Sequence, residues 1–250
     1  MPSILALHLY LMSVLFLGPI SAPAAQGVIS APVREFFAAG PTDEVMRKLI
    51  RSASSAGAFG FENLGPSSQP LVSVLSPGPD VGAVLRAICD RDRYKVVGTG
   101  SADVVNILPA DGGARGHDVL EHRLPKLDLE ADEWPHNLIT GLAGHSPDLH
   151  AYLSAVYFRA GGHDPAGGPQ VSGMTGDVQP PHFSIHLANP TVRDVLNSIS
   201  LQSLQAYRAI GPASTPGQKL VRPTSWELDF SAPGDKSYLA WVTSLFRPLM

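Results

Sequence analysis

The sequence predicts an α+β protein in which two small strand-helix-strand units are joined by a helical segment. Three observations predict it. Val81, Val84, Leu85 and Ile88 fall at i, i+3, i+4 and i+7, and Val192, Val195, Leu196 and Ile199 repeat that spacing. Both stretches are therefore helices that bury the same kind of apolar stripe. Alternating runs, clearest in His182-Phe183-Ser184-Ile185-His186-Leu187, have the period of strands with one buried face. Finally, 24 Gly and 23 Pro in 250 residues cut the chain into short elements with long connections.

Composition bounds the function classes. A hydrophobic fraction of 44% with 16% charged residues suffices for a buried core and is not that of a disordered chain. The net charge of −4 and the lack of any basic run argue against a nucleic-acid partner. The single cysteine, Cys89, cannot form an internal disulfide, so compartment has to be read from the N-terminus.

Taken in order, Ile4 to Ile20 is almost uninterruptedly apolar, and Ser21-Ala22-Pro23-Ala24-Ala25 supplies small residues with alanines two apart. This is the pattern of a secretory signal peptide over residues 1–24, cleaved after Ala24, although no Lys or Arg precedes the apolar run. An uncleaved signal anchor is the alternative. His8, Gly18 and Pro19 interrupt the run and leave it short for a span.

The first unit occupies residues 25–122. Thr42 is placed to cap a helix through Ser52, with Asp43 and Glu44 in its first turn, Lys48 and Arg51 in its last, and Val45, Met46, Leu49 and Ile50 on its apolar face. Ala58 to Glu62 and Leu71 to Leu75 read as strands. Pro77-Gly78-Pro79 is a turn, and Asp80 caps the first octad helix. Tyr94 to Thr99 and Val104 to Leu108 make a hairpin through Gly98 to Ser101.

Residues 123–181 are the connecting segment. Arg123 to Leu129 alternates like an additional strand, Glu133 to Leu142 is a short helix, and Ser146-Pro147-Asp148 opens a helix reaching Phe158 with proline at its first position. Gly161 to Pro181 is a loop rich in Gly and Pro. The second unit, residues 182–250, has the strand from His182, a turn and cap at Asn189-Pro190-Thr191, the second octad helix to Gln202 or beyond, and a strand over Ser225 to Phe230. Trp226, Leu228 and Phe230 point to one side of that strand. Tyr238 to Phe246 reads as a last helical turn or a packed tail.

A short apolar strand, then Asn or Asp, then V-x-x-V-L-x-x-I, then a strand pair resembles the secretin and TonB short N-terminal (STN-like) domain. Ser76 to Leu108 fits one copy and Phe183 to Phe230 a second with a weaker hairpin. The resemblance covers about a third of the chain. It implies an exported bacterial protein whose units dock on other envelope proteins, and it carries no catalytic residues.

Candidate sites were weighed against that implication. His182 and His186 share the outward face of one strand, with Ser184 between them, and are the candidates for a metal site; no third donor stands near them in the chain. His145 and His150 flank a helix start with poorer spacing. Cys89 has arginines near it but reads as a partly buried structural thiol. Asp128, Glu130, Asp132 and Glu133 could supply the acid and base of a glycan hydrolase, but a solvated connection explains them as well. Neither G-x-S-x-G nor a phosphate-binding glycine motif occurs. Trp226, Phe230, Tyr238 and Trp241 could form a sugar or peptide platform, against which alternation puts Trp226 and Phe230 in the core.

The expected function is therefore a non-catalytic periplasmic or cell-envelope module that binds a protein or peptide, conceivably by strand addition to an open sheet edge. It would need no cofactor and would touch the membrane only through an uncleaved signal segment. The alternatives are a cell-wall or glycan hydrolase using the acidic residues and a periplasmic metal-binding protein. Convergent carboxylates in a cleft would mark the enzyme, and an open edge strand the module.

Overall fold

Val84, Leu85, Val195 and Leu196 are all buried, so both octads face cores as their spacing requires. The computed structural model describes residues 27–33, 36–64, 71–75, 80–89, 93–111, 117–160, 180–210, 223–230 and 240–245. The signal segment, most of the Gly/Pro-rich loop, Phe246 and Tyr238 lie outside the described residues.

After a 3-10 turn at Val28–Ser30 come β1 (Phe37–Pro41), α1 (Thr42–Ala53), β2 (Ala58–Glu62), β3 (Leu71–Leu75), α2 (Val81–Cys89), β4 (Tyr94–Gly98) and β5 (Val104–Pro109). Then follow α3 (His117–Glu121), β6 (Lys126–Asp132), α4 (Pro135–Thr140), a 3-10 turn at Leu142–His145, α5 (Pro147–Ala160), β7 (His182–Ala188), α6 (Val192–Ile210), β8 (Ser225–Phe230) and β9 (Ala240–Leu245). The α+β class stands. The order strand, octad helix, two strands occurs as β3-α2-β4-β5 and again as β7-α6-β8-β9.

Local chemistry sets the helix starts. The Asp80 carboxylate accepts the Ala83 N–H at 2.7 Å, as expected of a cap. At α6 the cap is reciprocal: Thr191 Oγ1 accepts from the Asp194 N–H at 3.1 Å, and Asp194 Oδ2 accepts from the Thr191 N–H at 2.9 Å. Ser146 Oγ accepts from the Leu149 N–H at 3.3 Å at the head of α5. At α1 the expectation is off by one residue. Pro41 occupies the cap position, without a side-chain bond, and Thr42 is the first helical residue.

The strands form three sheets. β1 pairs with β3, and β6 with β7, each as an antiparallel two-stranded sheet. The third has the order β4-β5-β2-β8-β9. β2 runs parallel to both β5 and β8, and antiparallel β4 and β9 form its edges. The two units thus share one sheet, where the sequence suggests a small sheet for each. β9 also corrects the expectation of a helical or irregular tail. β1 and α3 were not predicted: Phe37-Ala38-Ala39-Gly40-Pro41 has neither alternation nor β-branched residues, and α3 is only five residues long.

Each unit places its core between its own two-stranded sheet and one face of the shared sheet. Phe59, Phe61, Val105 and Ile107 meet α1 and α2 on one face, with Val72 and Val74 of β3 beyond. On the other face Trp226 and Leu228 meet α6 and α4, with Leu127, Leu129, Phe183 and Ile185 of β6 and β7 beyond. Full burial of each large apolar side chain contributes about 1.5–3 kcal/mol. Gly60 is required where the layers meet. A Cβ there would collide with the Trp226 ring and with Asn106 Oδ1.

Two carboxylates lie inside this three-layer arrangement, because the central strands have no solvent face. Glu227 on β8 is 1% exposed, and Arg47 from α1 grips both its oxygens, with Nε at 3.0 and 2.9 Å. Asn63 Nδ2 donates to it at 3.1 Å. Glu62 on β2 is fully buried and accepts from Arg193 of α6 and from His117 Nδ1, the latter at 3.0 Å. Each helix thereby holds a carboxylate on a strand of the other unit, one pair on each face of the sheet.

Candidate functional site

The polar groups that remain accessible and close together are on the outer face of β6 and β7. Leu127 and Leu129 of β6, with Phe183 and Ile185 of β7, turn inward to the second core. Period-two alternation then forces Asp128, Glu130, Asp132, His182, Ser184 and His186 outward. The antiparallel register sets Asp128 opposite His186, Glu130 opposite Ser184 and Asp132 opposite His182. The acids expected in a connection are therefore on a strand that continues to Asp132 and does not stop at Leu129. Glu133 lies beyond it and turns to His145, 3.0 Å away.

The outward groups form one ladder. His182 Nδ1 is 2.9 Å from Asp132 and its Nε2 3.0 Å from Glu130. His186 Nδ1 is 3.0 Å from Asp128 and its Nε2 2.8 Å from Glu130. Ser184 Oγ donates to Glu130 Oε1 at 2.7 Å, and Lys126 pairs with Asp128. Each imidazole has a carboxylate oxygen at both nitrogens, which the doubly protonated ring satisfies as donor on both sides. Both histidines are accordingly held above their ordinary range, His182 chiefly by Asp132 and His186 chiefly by Asp128. Asp128 is held below the usual carboxylate range by Lys126 and then His186. Glu130 is held below it by the Ser184 hydroxyl and then His186.

This geometry decides among the chemistries the residue types allow. Four residues of strand put the Cα atoms of His182 and His186 about 13 Å apart, and the two imidazoles lean toward the one Glu130 carboxylate. Glu130 stands between them as a hydrogen-bond acceptor. Among the described residues no group of three or more His, Cys, Asp or Glu is arranged to hold a metal. A glycan hydrolase needs one carboxyl group raised to act as acid, whereas Asp128 and Glu130 are lowered and stand on an open sheet face. Asp128, His186 and Ser184 do have the connectivity of a nucleophilic relay, with Ser184 Oγ 3.2 Å from His186 Nε2. The Ser184 hydroxyl donates to Glu130 and not to His186.

The main chain beside the ladder is unequal on its two sides. The Ser184 N–H donates to Gln202 Oε1 at 3.3 Å, and Gln202 Nε2 donates to the Ser184 carbonyl at 2.7 Å. At Ser184 an amide from α6 thus occupies the place of a neighbouring strand on the β7 edge. Because Ser184 bonds outward, its cross-strand partner Glu130 also directs its N–H and C=O outward, and Asp128 and Asp132 follow by alternation. Among the described residues no backbone or side-chain hydrogen bond reaches those groups, so the β6 edge is open.

The other sequence candidates are dispersed. Cys89 is partly buried at the end of α2. Trp226 is fully buried, with its Nε1 donating to Asn197 at 2.9 Å, so it is core and no ligand platform. His122 stacks on Tyr152 at 3.7 Å, away from the ladder's hydrogen bonds. Sequence reasoning missed Glu62 and Glu227. Alternation alone assigns Glu227 to water, and only a sheet covered on both faces buries it. No family model, curated protein or solved structure matches this chain. No helix among the described residues is long and apolar enough to cross a membrane.

Proposed function

We propose that this protein is a non-catalytic module of the bacterial cell envelope that binds an extended segment of another protein by adding it as a strand to β6. The observation that carries the proposal is the asymmetry of the β6–β7 sheet, where Gln202 caps the β7 edge at Ser184 while, among the described residues, nothing pairs with the outward main-chain groups of Asp128, Glu130 and Asp132 on β6. A two-stranded sheet is a marginal unit, and a third strand extends its ladder while side-chain pockets supply specificity. Export rests on the apolar N-terminal stretch and its A-x-A sequence, and docking on envelope proteins is what the STN-like resemblance implies.

The test is hydrogen exchange on the protein captured with its partner from envelope extracts. The amides of Asp128, Glu130 and Asp132 exchange fast in the free protein, while those of Leu127, Leu129 and Ala131 are already held in the ladder with β7. Slowing of the first set in the complex is expected. A bound partner that leaves all three amides fast refutes strand addition at this edge.

A further inference from the structure

We infer that the strand accepted by β6 belongs to a different protein and carries Lys or Arg at every second position. The inference rests on the strand-addition proposal above and specifies its partner. In the β6–β7 pair all three carboxylates, Asp128, Glu130 and Asp132, stand on the strand with the open edge, and both histidines stand on the strand that Gln202 caps at Ser184. A strand laid along β6 meets Lys126 and then three acids with a two-residue repeat, so the row keeps an excess of negative charge. Residues directly opposite or diagonal on one sheet face come close enough for charges to interact.

The alternation decides which side chains of the partner matter. Those on the ladder's face lie beside Asp128, Glu130 and Asp132. Those on the other face continue the plane of Leu127 and Leu129, which are 2% exposed and already packed in the second core. The acids have capacity left for such a partner. A carboxylate offers about four lone-pair sites, and the exposures of 44%, 50% and 76% at Asp128, Glu130 and Asp132 leave room for further donors beside the ladder's own bonds. A second copy is the wrong occupant. Two antiparallel β6 strands centred on Glu130 bring three acids against three acids, the register that sets Lys126 opposite Asp132 still puts Asp128 against Glu130, and like charges directly opposite on a sheet are destabilising.

The experiment uses the full chain and synthetic seven-residue peptides, with binding read by fluorescence anisotropy at low and physiological salt. One peptide alternates lysine with valine, a second alternates glutamate with valine, and a third has the lysines and valines of the first in two blocks. The alternating basic peptide is expected to bind, the acidic one not to bind, and the blocked one to bind at least ten-fold more weakly. Neutralising one carboxylate, as in Asp128→Asn or Asp132→Asn, weakens binding about two- to five-fold, the scale of an exposed ion pair. Asp132→Pro also removes an outward N–H, without touching the main-chain bonds to β7, and weakens binding further than Asp132→Asn.

The outcomes separate the two claims. If the blocked peptide binds as well as the alternating one and Asp132→Pro equals Asp132→Asn, attraction is unstructured and strand addition fails. If the acidic peptide binds as tightly as the basic one and Asp132→Pro weakens both, strand addition stands and the basic partner is refuted. A dimer detected by sedimentation that Asp132→Pro dissolves overturns the assignment to a different protein.

Discussion

Exchange of the Arg47 guanidinium for an apolar side chain tests the claim that the two units are welded through one sheet. Arg47→Met takes the guanidinium away from the Glu227 carboxylate, which is 1% exposed and keeps the Asn63 Nδ2 donor. Removing one member of a buried ion pair costs about 3–5 kcal/mol, because the remaining charge stays desolvated. The Arg47 side chain keeps 22% of its exposure, so water already screens part of the pair and the lower end, about 3 kcal/mol, is expected. For a chain of this size that corresponds to a fall in Tm of roughly 6–12 °C. Glu227→Gln alone keeps an acceptor for Asn63 while leaving Arg47 its partner Asp43, 2.9 Å away. The double variant should therefore lose at least about 1 kcal/mol less than the sum of the single losses, as expected of residues in direct contact. Urea unfolding followed by far-UV ellipticity and by tryptophan fluorescence gives all four stabilities, and the two probes should coincide because Arg47 and Glu227 belong to different units. Additivity within about 0.5 kcal/mol, or a first transition that leaves one unit folded, would refute the weld.

The ladder should respond to pH from both sides. With His182 and His186 raised, their contribution is complete below the unfolded value near 6.5 and is lost as pH rises through the folded values. With Asp128 and Glu130 lowered, theirs is present above the unfolded values and is lost as pH falls through the folded ones. Imidazole titrations by NMR should place both midpoints above 6.5, and amide exchange across β6 and β7, corrected for its intrinsic pH dependence, should show greatest protection between the carboxylate and imidazole midpoints. An imidazole midpoint at or below 6.5 contradicts the ladder. Gly60→Ala forces a methyl group against Trp226 and Asn106 and should cost about 1–3 kcal/mol, with a loss of Trp226 fluorescence intensity or position that a simple change in helix propensity would not produce. Thr191→Ala removes the hydroxyl that accepts the Asp194 N–H, and thermal unfolding should show a loss of about 1 kcal/mol, which Thr191→Ser restores.

The sequence made the apolar half of this fold legible and hid most of its polar half. Octad spacing found α2 and α6, and alternation found β7, because each of these elements buries one face and shows the other to water. The same rule fails on β2 and β8. Gly60 reads as a weak point in a strand until the Trp226 ring is seen to lie over it, and Glu227 reads as a solvent residue until α1 is seen to cover that face. Both depend on contacts between positions 164–180 residues apart, which no local period encodes. The histidines were found as a pair, and their acids were found as a cluster. Only the register of β6 against β7 shows that they form a single ladder.

That ladder lies where the layering leaves a place for it. The shared sheet has helices and core on both faces, and the charges it buries, Glu62 and Glu227, are each held by an arginine from the opposite unit. Such pairs tie the layers together, and each arginine is held a second time by an acid near its own helix, Asp43 for Arg47 and Glu121 for Arg193. The β6–β7 sheet is covered on one face by the second core, so its other face can display polar groups without loss of packing. Its rings and carboxylates are tied to one another across the two strands. The main-chain groups along β6 are a different matter, since strand pairing satisfies them without rearranging the ladder. The proposed strand addition would therefore use the β6 main chain while the cross-strand bonds keep the histidines and acids in register.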